Sequence, residues 1–307
     1  MTAGRLLYLG YHAPLAALER SWREGGPLNQ WITGRGRLAM RAAAARLPPF
    51  PTPPASAPRL IFLTGKKFWY QTAFCAASLQ RHSPCPLAFE FIDDDSFDDD
   101  LTTEIQRLFP SSVITTAASA IAHLDRVLPA AHFPTLRSQR VTYRHLRKLT
   151  DAHAGRTGPR LVLDSDMLCF RRPEALLTWL KQPARPIHLL DVQDAYGYPA
   201  ASLAELAGAP VPSLVNVGVL GLRSESIDWA KVEMAATTLI GRHGTSYYLE
   251  QALAALLLAG QSTQPLPVAD YRLLPSESEC IAPTAILHHY VAESKRGYFR
   301  HAWRSLR

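Results

Sequence analysis

The sequence has little of what marks a membrane-spanning or disulfide-bonded protein. Only four of its 307 residues are cysteines, and no paired spacing is evident among Cys75, Cys85, Cys169 and Cys280. This pattern is typical of reduced thiols and argues against a disulfide framework or a zinc site. The longest apolar run, 252–259, is far shorter than the roughly 20 residues of a bilayer-spanning helix. The chain also starts without a cationic segment followed by an apolar block, so we expect no secretion signal and a cytoplasmic protein.

Charge is sparse as well, because charged residues make up 19% of the chain and hydrophobic residues 47%. That balance is typical of a globular protein with a sizeable core, and the length suits one large α/β domain or two small ones. The net charge of +7 favours anionic ligands or an anionic membrane surface. The basic residues are dispersed along the chain without a recognition motif, so nucleic acid is not an expected partner.

Residues 1–58 are expected to form an N-terminal extension to the main domain. Two helices are predicted within it, over 14–24 and 31–46, and a stiff proline-rich linker follows them. The second helix is rich in Arg and Ala, with Trp31 and Leu38 among its apolar positions. Such a helix suits an anionic membrane surface. Packing against its own domain is the commoner role, and it is the one we favour.

From residue 59 to residue 307 strands alternate with helices, which predicts one α/β domain with a mostly parallel, Rossmann-like central sheet flanked by helices. The predicted strands cover 60–63, 87–92, 113–114, 161–163, 187–190 and 214–220. The predicted helices cover 67–81, 98–108, 117–128, 136–153, 173–181, 228–240 and 246–258.

One of these strands, 161–163, runs directly into Asp164, Ser165 and Asp166. Because desolvating a charge is costly, the two acids are expected at the carboxyl end of the strand, where ligands bind in open α/β sheets. Residues i and i+2 of an extended segment point the same way, so these carboxylates repel each other unless a cation lies between them. The spacing indicates a divalent-metal site or, with about equal weight, a solvated turn.

The order of these features resembles a nucleotide-sugar glycosyltransferase of the GT-A fold. The chain is most similar to glycosyltransferase family eight, the retaining enzymes related to glycogenin and to the bacterial lipopolysaccharide galactosyl- and glucosyltransferases. The resemblance covers roughly residues 59–302. In the family the Asp-x-Asp motif, here Asp164 and Asp166 around Ser165, holds a divalent ion, Mn²⁺ or Mg²⁺, that bridges the donor's diphosphate.

A second match lies near the C-terminus, where the family has a His-x-x-Gly-x-x-Lys pattern. His289, Ala292 and Lys295 occupy those positions here. The resemblance implies that His289 is the third metal ligand and that Lys295 places a cation on the diphosphate. His288 is the rival ligand, but adjacent strand residues face opposite sides, and the family spacing selects His289. Ala292 replaces the glycine, which matters if the position needs a positive φ or a close backbone approach to phosphate.

Three further matches concern the sugar. Asn216 and Gly218 correspond to the family's Asn-x-Gly, which contacts the donor sugar or the acceptor. Glu250 and Gln251 stand at the place of its Asp-Gln, which puts Gln251 near the anomeric carbon and the acid near the sugar hydroxyls. Asp191 matches an Asp that binds sugar hydroxyls. If the resemblance is set aside, each of these residues has an ordinary structural explanation; a buried Asn, for example, can be hydrogen-bonded to backbone groups.

The nucleotide end departs most from the family. Arg147 matches an Arg that contacts the donor sugar or phosphate, and Lys148 beside it is the alternative. Thr64 is expected to hydrogen-bond the base or ribose, with Phe68 or Tyr70 stacked nearby. By resemblance the base is uracil.

Together these matches imply transfer of a hexose from a nucleotide diphosphate sugar, by resemblance a UDP-sugar, to a hydroxyl with retention of configuration. Gln251 is a poor nucleophile, which favours front-face substitution assisted by the leaving phosphate. The acceptor would be a glycan, a lipid-linked molecule or a small molecule, with peripheral contact to the inner face of the membrane as a further expectation. The alternative is a catalytically inactive relative that binds sugar nucleotide or acts as a scaffold. A phosphatase with an aspartyl nucleophile is disfavoured, because Leu168 stands where that class has Thr.

Overall fold

A seven-stranded sheet forms the centre of the protein, whose computed structural model describes residues 25–306. Its strands are β1 (Arg59–Thr64), β2 (Ala88–Asp93), β3 (Val113–Thr115), β4 (Pro159–Leu163), β6 (Ile187–Leu190), β7 (Val215–Arg223) and β8 (Gln264–Pro265), in the order β3-β2-β1-β4-β7-β6-β8. A second sheet has the order β5-β10-β9, with β5 (Met167–Cys169), β9 (Tyr271–Leu273) and β10 (Leu287–His289).

Strand direction decides which residues meet at one edge of the large sheet. β1 pairs in parallel with β2 and β4, and β2 with β3. β7 runs antiparallel to both of its neighbours, β4 and β6. The carboxyl ends of β4 and β6 therefore meet the amino end of β7, which places Asp164, Asp191 and Asn216 at a common edge. The predicted mostly parallel sheet is confirmed, with β7 as its reversed member.

Helices cover both faces of the sheet, as expected for an α/β protein. They are α1 (Pro27–Ala44), α2 (Trp69–His82), α3 (Asp99–Leu108), α4 (Ala117–Val127), α5 (Pro134–Thr142), α6 (Arg147–His153), α7 (Glu174–Lys181), α8 (Ala200–Ala207), α9 (Trp229–His243), α10 (Leu249–Leu258), α11 (Glu277–Ile281) and α12 (Lys295–Arg300). Short 3₁₀ turns cover Arg144–Leu146, Ser224–Ser226, Ala292–Ser294 and Ala302–Leu306. Among residues 25–306 no helix is long and apolar enough to cross a bilayer.

The helix predicted over 136–153 is in fact two helices, α5 and α6. The chain leaves the helical conformation at Tyr143, whose φ is −125° and ψ 87°. The Tyr143 hydroxyl donates to the Tyr247 carbonyl over 2.6 Å, which fixes the break. A short 3₁₀ turn then restarts the helix in a new direction. This break sets which side chains of α6 face the sheet edge.

Helix α1 packs against α2 and α12 through one face. Gly36, Met40 and Ala44 lie on that face at helical spacing and are buried. Gly36 has no room for a side chain, because a Cβ there would overlap the Phe299 carbonyl. The helix predicted over 14–24 lies outside the described residues, and the division of the chain at residue 58 stays a prediction.

Candidate active site

The two aspartates and the histidine singled out in the sequence lie together. Asp164 follows β4, and its N–H donates to the Gly218 carbonyl of β7 over 2.8 Å. Strand β10 lies antiparallel beside β5, and the Tyr290 N–H donates to the Asp166 carbonyl over 2.9 Å. This register brings His289 Nε2 to 3.2 Å from Asp166 Oδ1 and 3.6 Å from Asp164 Oδ2. Residues 125 positions apart in the chain are thus adjacent in space.

These three side chains fit a divalent cation. Their ligand atoms all lie within 4.8 Å of one another. The Nδ1 atom of His289 is buried without a hydrogen-bond partner among the described residues, and its Nε2 faces the two carboxylates. Two carboxylates with one imidazole are a donor set that suits Mn²⁺ or Mg²⁺. Gly218 makes room for the ring, because a Cβ there would overlap His289.

His288, the rival ligand, faces the other side of its strand. Its Nδ1 lies 3.1 Å from the Tyr290 hydroxyl, and its ring packs edge-on against Phe170. The side chain is fully buried, and burial lowers the pKa of His288 to about 4. His288 therefore belongs to the core, and His289 is the member of the pair at the aspartates.

Two lysines flank the cluster, one on each carboxylate. Lys295 Nζ lies 2.6 Å from Asp166 Oδ2 and donates to Gln71 Oε1 over 3.2 Å. Lys148 Nζ lies 2.7 Å from Asp164 Oδ1 and 3.1 Å from a carboxylate oxygen of Glu250. The carboxylates are therefore neutralised from both sides.

The pKa values of Asp166, which is partly buried, and of Glu250, which is buried, reflect this pairing. Burial raises the pKa of Asp166, but Lys295 and His289 outweigh it, and the net pKa lies well below the usual range. For Glu250 burial dominates and, with Asp164 adding to it against Lys148, raises the pKa to about 8. Burial lowers the pKa of Lys148, and the two carboxylates beside it more than reverse the effect. Lys148 is thus held as a cation between two acids, one of which, Glu250, has a pKa displaced upward by its burial.

Lys148 occupies the place that the sequence assigned first to Arg147. Arg147 points away from the cluster, with its guanidinium bonded to the Asp93 carbonyl over 3.1 Å and paired with Asp95. It is almost fully buried, at 1% exposed. The broken helix explains the difference, since the turn at Tyr143 aims the next residue of α6, Lys148, at the sheet edge.

An amide network forms the other part of the site. Asp191 Oδ2 accepts from Asn216 Nδ2 over 2.8 Å and from Gln251 Nε2 over 3.2 Å. Gln251 Nε2 also donates to the Ala195 carbonyl, and Asn216 Oδ1 accepts from the Gly218 N–H. The three predicted sugar-side residues are thus joined by hydrogen bonds, and both amide orientations are fixed by their partners.

Two adjoining cavities open onto the cluster. The lysine cavity, of about 620 Å³, contains Lys66, Lys67 and Lys295. The amide cavity, of about 430 Å³, contains Asn216 and Gln251. His145, Lys148, Asp164, Tyr247 and Val291 line both cavities, so the two form one continuous cleft.

The residues predicted for the nucleotide differ in where they lie. Thr64 and Phe68 line the lysine cavity, and Phe68 is 42% exposed. The Thr64 and Ser165 hydroxyls both bond to Thr72, at 2.6 and 2.7 Å, so they already have a protein partner. Tyr70 is buried beside Phe299 and does not line either cavity.

Ala292 has a φ of 44°, in the left-handed region that favours glycine. It lies at the start of a 3₁₀ turn that leads into Lys295 and α12. The position therefore does require a positive φ, and the alanine adopts it at an energetic cost.

Sequence reasoning missed several residues that line the cleft, among them Gln71, His145 and Tyr247. Gln71 carried a signal, because it is a polar residue in a helix that is otherwise largely apolar. The other two lie in connections whose local sequence predicts nothing about the cleft. His145 contacts Tyr247 edge-on, with ring centres 5.5 Å apart, which brings two connections together above Lys148.

Neither a protein-family model nor a curated protein matches the sequence. Solved structures do. The galactosyltransferase LgtC, in complex with donor and acceptor sugar analogs, is 15% identical with a TM-score of 0.52, over 76% of this chain and 87% of that one. An active-site mutant of LgtC is 14% identical with a TM-score of 0.51, over the same fractions of the two chains. The WbbM bifunctional glycosyltransferase is 12% identical with a TM-score of 0.50, over 80% of this chain and 47% of that one. At these identities the similarity concerns architecture alone, and the chain has the GT-A fold.

Proposed function

We propose that the protein is a metal-dependent, retaining glycosyltransferase that moves a hexose from a UDP-sugar to a hydroxyl acceptor. The observation that carries the proposal is the meeting of Asp164, Asp166 and His289 at the floor of a cleft in a GT-A fold. The acceptor is a glycan, a lipid-linked molecule or a small molecule.

On the metal side, the two aspartates and His289 would hold Mn²⁺ or Mg²⁺. A divalent ion there supplies positive charge that neutralises a leaving nucleoside diphosphate. Lys295 adds a second positive charge, and Gln71 orients its ammonium group. Thr64 and Phe68 border the cavity that receives the nucleoside.

On the sugar side, Asp191, Asn216 and Gln251 present a fixed set of polar atoms. Gln251 already donates from Nε2 to two acceptors, so its carbonyl oxygen is the group left for the sugar. Glu250 and Lys148 lie between this network and the cluster. The network therefore orients the hexose relative to the diphosphate.

The state of the two nearby acids favours front-face substitution. Asp191 is engaged by two side-chain amides, and Glu250 is paired with Lys148 at 3.1 Å. Neither is a free carboxylate suited to attack an anomeric carbon. The acceptor hydroxyl would then lose its proton to the departing phosphate oxygen on the same face of the sugar.

A thermal-shift comparison tests the proposal, since a ligand of the native state raises its melting point. UDP, GDP and ADP are each added with and without Mn²⁺, followed by hydrolysis assays on the matching nucleotide sugars. We expect a metal-dependent shift with UDP that Asp166→Asn abolishes and the exposed control Asp125→Asn retains. Binding without turnover would favour the scaffolding alternative, and no shift with any nucleotide would overturn the proposal.

A further inference from the structure

The acidic residues are unevenly distributed along the chain. Residues 25–89 contain eight Lys and Arg and no Asp or Glu, and residues 295–307 contain five basic residues and no acid. Residues 90–294 hold 24 acids against 17 basic residues. Although the basic residues are dispersed, nearly all of the acids lie in this middle part of the chain. The net positive charge of the protein therefore comes from the segments on either side of it.

The fold brings these two acid-free segments together. Helix α1 packs against α12, and Arg300 donates to the Asn29 carbonyl over 2.7 Å and to the Thr33 hydroxyl over 3.0 Å. Arg37 lies over the Phe299 ring at 4.7 Å. Arginines of both segments therefore lie together around α1, and we call this region the basic surface; Glu277, which faces His301 just beyond α12, borders it.

The outer face of α1 carries large apolar side chains in the middle of this basic surface. Leu28 is 69% exposed, Trp31 57% and Leu38 67%. They lie at helical spacing with Arg35, on the face opposite Gly36, Met40 and Ala44, and Arg46 continues the same line just beyond the helix. We define the docking face by Leu28, Trp31, Arg35, Leu38 and Arg46.

We propose that the docking face binds the surface of a bilayer that contains anionic lipid. An exposed Trp and two Leu are the residues that enter the headgroup boundary, and arginines around them pair with lipid phosphates. Arg35 lies over the Trp31 ring at 4.9 Å, so cation and aromatic ring are held together. The combination of apolar and basic side chains favours a lipid surface as the partner, because a polyanion such as RNA complements the arginines but not the leucines.

The docking face is also close to the candidate active site. Lys295 begins α12 and contacts Asp166, while Arg300 ends the same helix and contacts α1. Lys295 and Arg300 are the two ends of one six-residue helix about 9 Å long, and α1 lies between Arg300 and the docking face on its outer side. If the proposed transferase is correct, membrane binding holds the cleft near acceptors carried by lipid. That consequence rests on the proposed function, whereas the binding itself does not.

Vesicle sedimentation with the whole chain tests the binding without any nucleotide sugar. We use vesicles of phosphatidylcholine alone or with about 30 mol% phosphatidylglycerol, at about 0.1 M and about 0.5 M salt. We expect strong partitioning to the anionic vesicles at low salt and weak partitioning in the other conditions. Wild-type protein that stays in the supernatant throughout would overturn the proposal.

Two double variants separate the apolar from the basic contribution. Each should lower the partition coefficient of the protein onto anionic vesicles by more than about tenfold. The apolar variant combines Trp31→Ser with Leu38→Ser, and the basic variant combines Arg35→Glu with Arg46→Glu. The matched control replaces one exposed apolar and one exposed basic residue on α9, Met234→Ser with Lys231→Glu, and should bind as wild type. Equal binding by the Trp31 and Leu38 variant would show simple charge attraction and overturn the docking face.

Three further measurements distinguish membrane docking from misfolding, cleft damage and self-association. Each variant is checked for an unchanged melting point and an unchanged shift with UDP and Mn²⁺, so a folding defect or a damaged cleft is recognised. Gel filtration at several concentrations shows whether the docking face instead joins two copies of the chain. Dimerisation lost in the Trp31 and Leu38 variant, together with no vesicle binding, would contradict the proposal.

Discussion

The two ends of the cleft are held by different chemistry. At the cluster, Asp164 and Asp166 are each paired with a lysine at 2.6–2.7 Å and share His289. At the other end, Asp191 is bonded to the neutral amides of Asn216 and Gln251. At the cluster, carboxylates are paired with cationic groups. In the amide network, hydrogen bonds fix the orientation of the Asn216 and Gln251 side chains.

Because of this difference, substitutions at the two ends of the cleft should have different effects. Charge interactions at a partly buried cluster are stronger than at the surface and depend on every partner being present. Neutral hydrogen bonds each contribute less, and their loss mainly affects orientation. Changes at the cluster should therefore affect metal dependence, and changes in the amide network should affect use of the sugar while leaving metal affinity alone.

The largest effect is expected for Asp166→Asn. The variant removes one of the two carboxylates and leaves Lys295 without its charged partner. We expect turnover of the best nucleotide sugar to fall by more than about 100-fold, comparable to losing one electrostatic group in a catalytic site. Steady-state hydrolysis across a Mn²⁺ titration measures it. Unchanged turnover with unchanged metal dependence would mean that the cluster is not the catalytic centre.

Asp191→Asn should have a smaller effect of a different kind. The substitution removes the charged acceptor shared by two amides, so we expect a loss of about 10- to 100-fold in kcat/KM for the donor. The Mn²⁺ concentration for half-maximal activity should not move, in contrast to any change at Asp164 or Asp166. A parallel loss of metal affinity would show that the two ends are not separate.

Glu250→Gln tests the charged end through stability. Glu250 has a pKa of about 8 when folded and near 4.5 when unfolded, so unfolding releases a proton between those pH values. Its contribution to stability is present below pH 4.5 and is lost as the pH rises through 8. The glutamine lacks this dependence.

Relative to wild type, we therefore expect Glu250→Gln to gain at least about 1.4 kcal/mol of unfolding free energy between pH 5 and pH 8, the equivalent of one pKa unit. Urea denaturation in EDTA at the two pH values measures it. The exposed control Glu174→Gln should show no such gain. A gain that is absent or of opposite sign would mean that Glu250 is charged in the folded protein.

Sequence alone was enough to predict what local patterns determine. The strand before Asp164, the edge at which the acids lie and the opposite faces of His288 and His289 all follow from two-residue periodicity and the cost of burying charge. The GT-A architecture followed from the order of motifs. These features need no knowledge of which distant elements touch.

What sequence could not supply depends on tertiary contacts. The break at Tyr143 is fixed by a carbonyl 104 residues later, and it decides that Lys148 and not Arg147 faces the cleft. Tyr70 was expected near the nucleotide, but packing against Phe299 from α12 buries it. The positive φ of Ala292 is set by the turn that delivers Lys295; the family's glycine pointed to it, but the propensity of alanine does not.

The smallest effect, and the finest test of the charged end, is Ala292→Gly. A left-handed φ costs an alanine about 1–2 kcal/mol, while glycine costs about 0.4–1 kcal/mol through the entropy of the unfolded chain. The two terms leave a net gain of about 0.5–1 kcal/mol for the variant, measurable by urea denaturation. Ala282→Gly is the matched control, because Ala282 is exposed with a φ of −128°, and it should lose stability instead. If both variants lose stability equally, the turn before Lys295 is not strained, and the alanine there is as suitable as a glycine for presenting that lysine to the cluster.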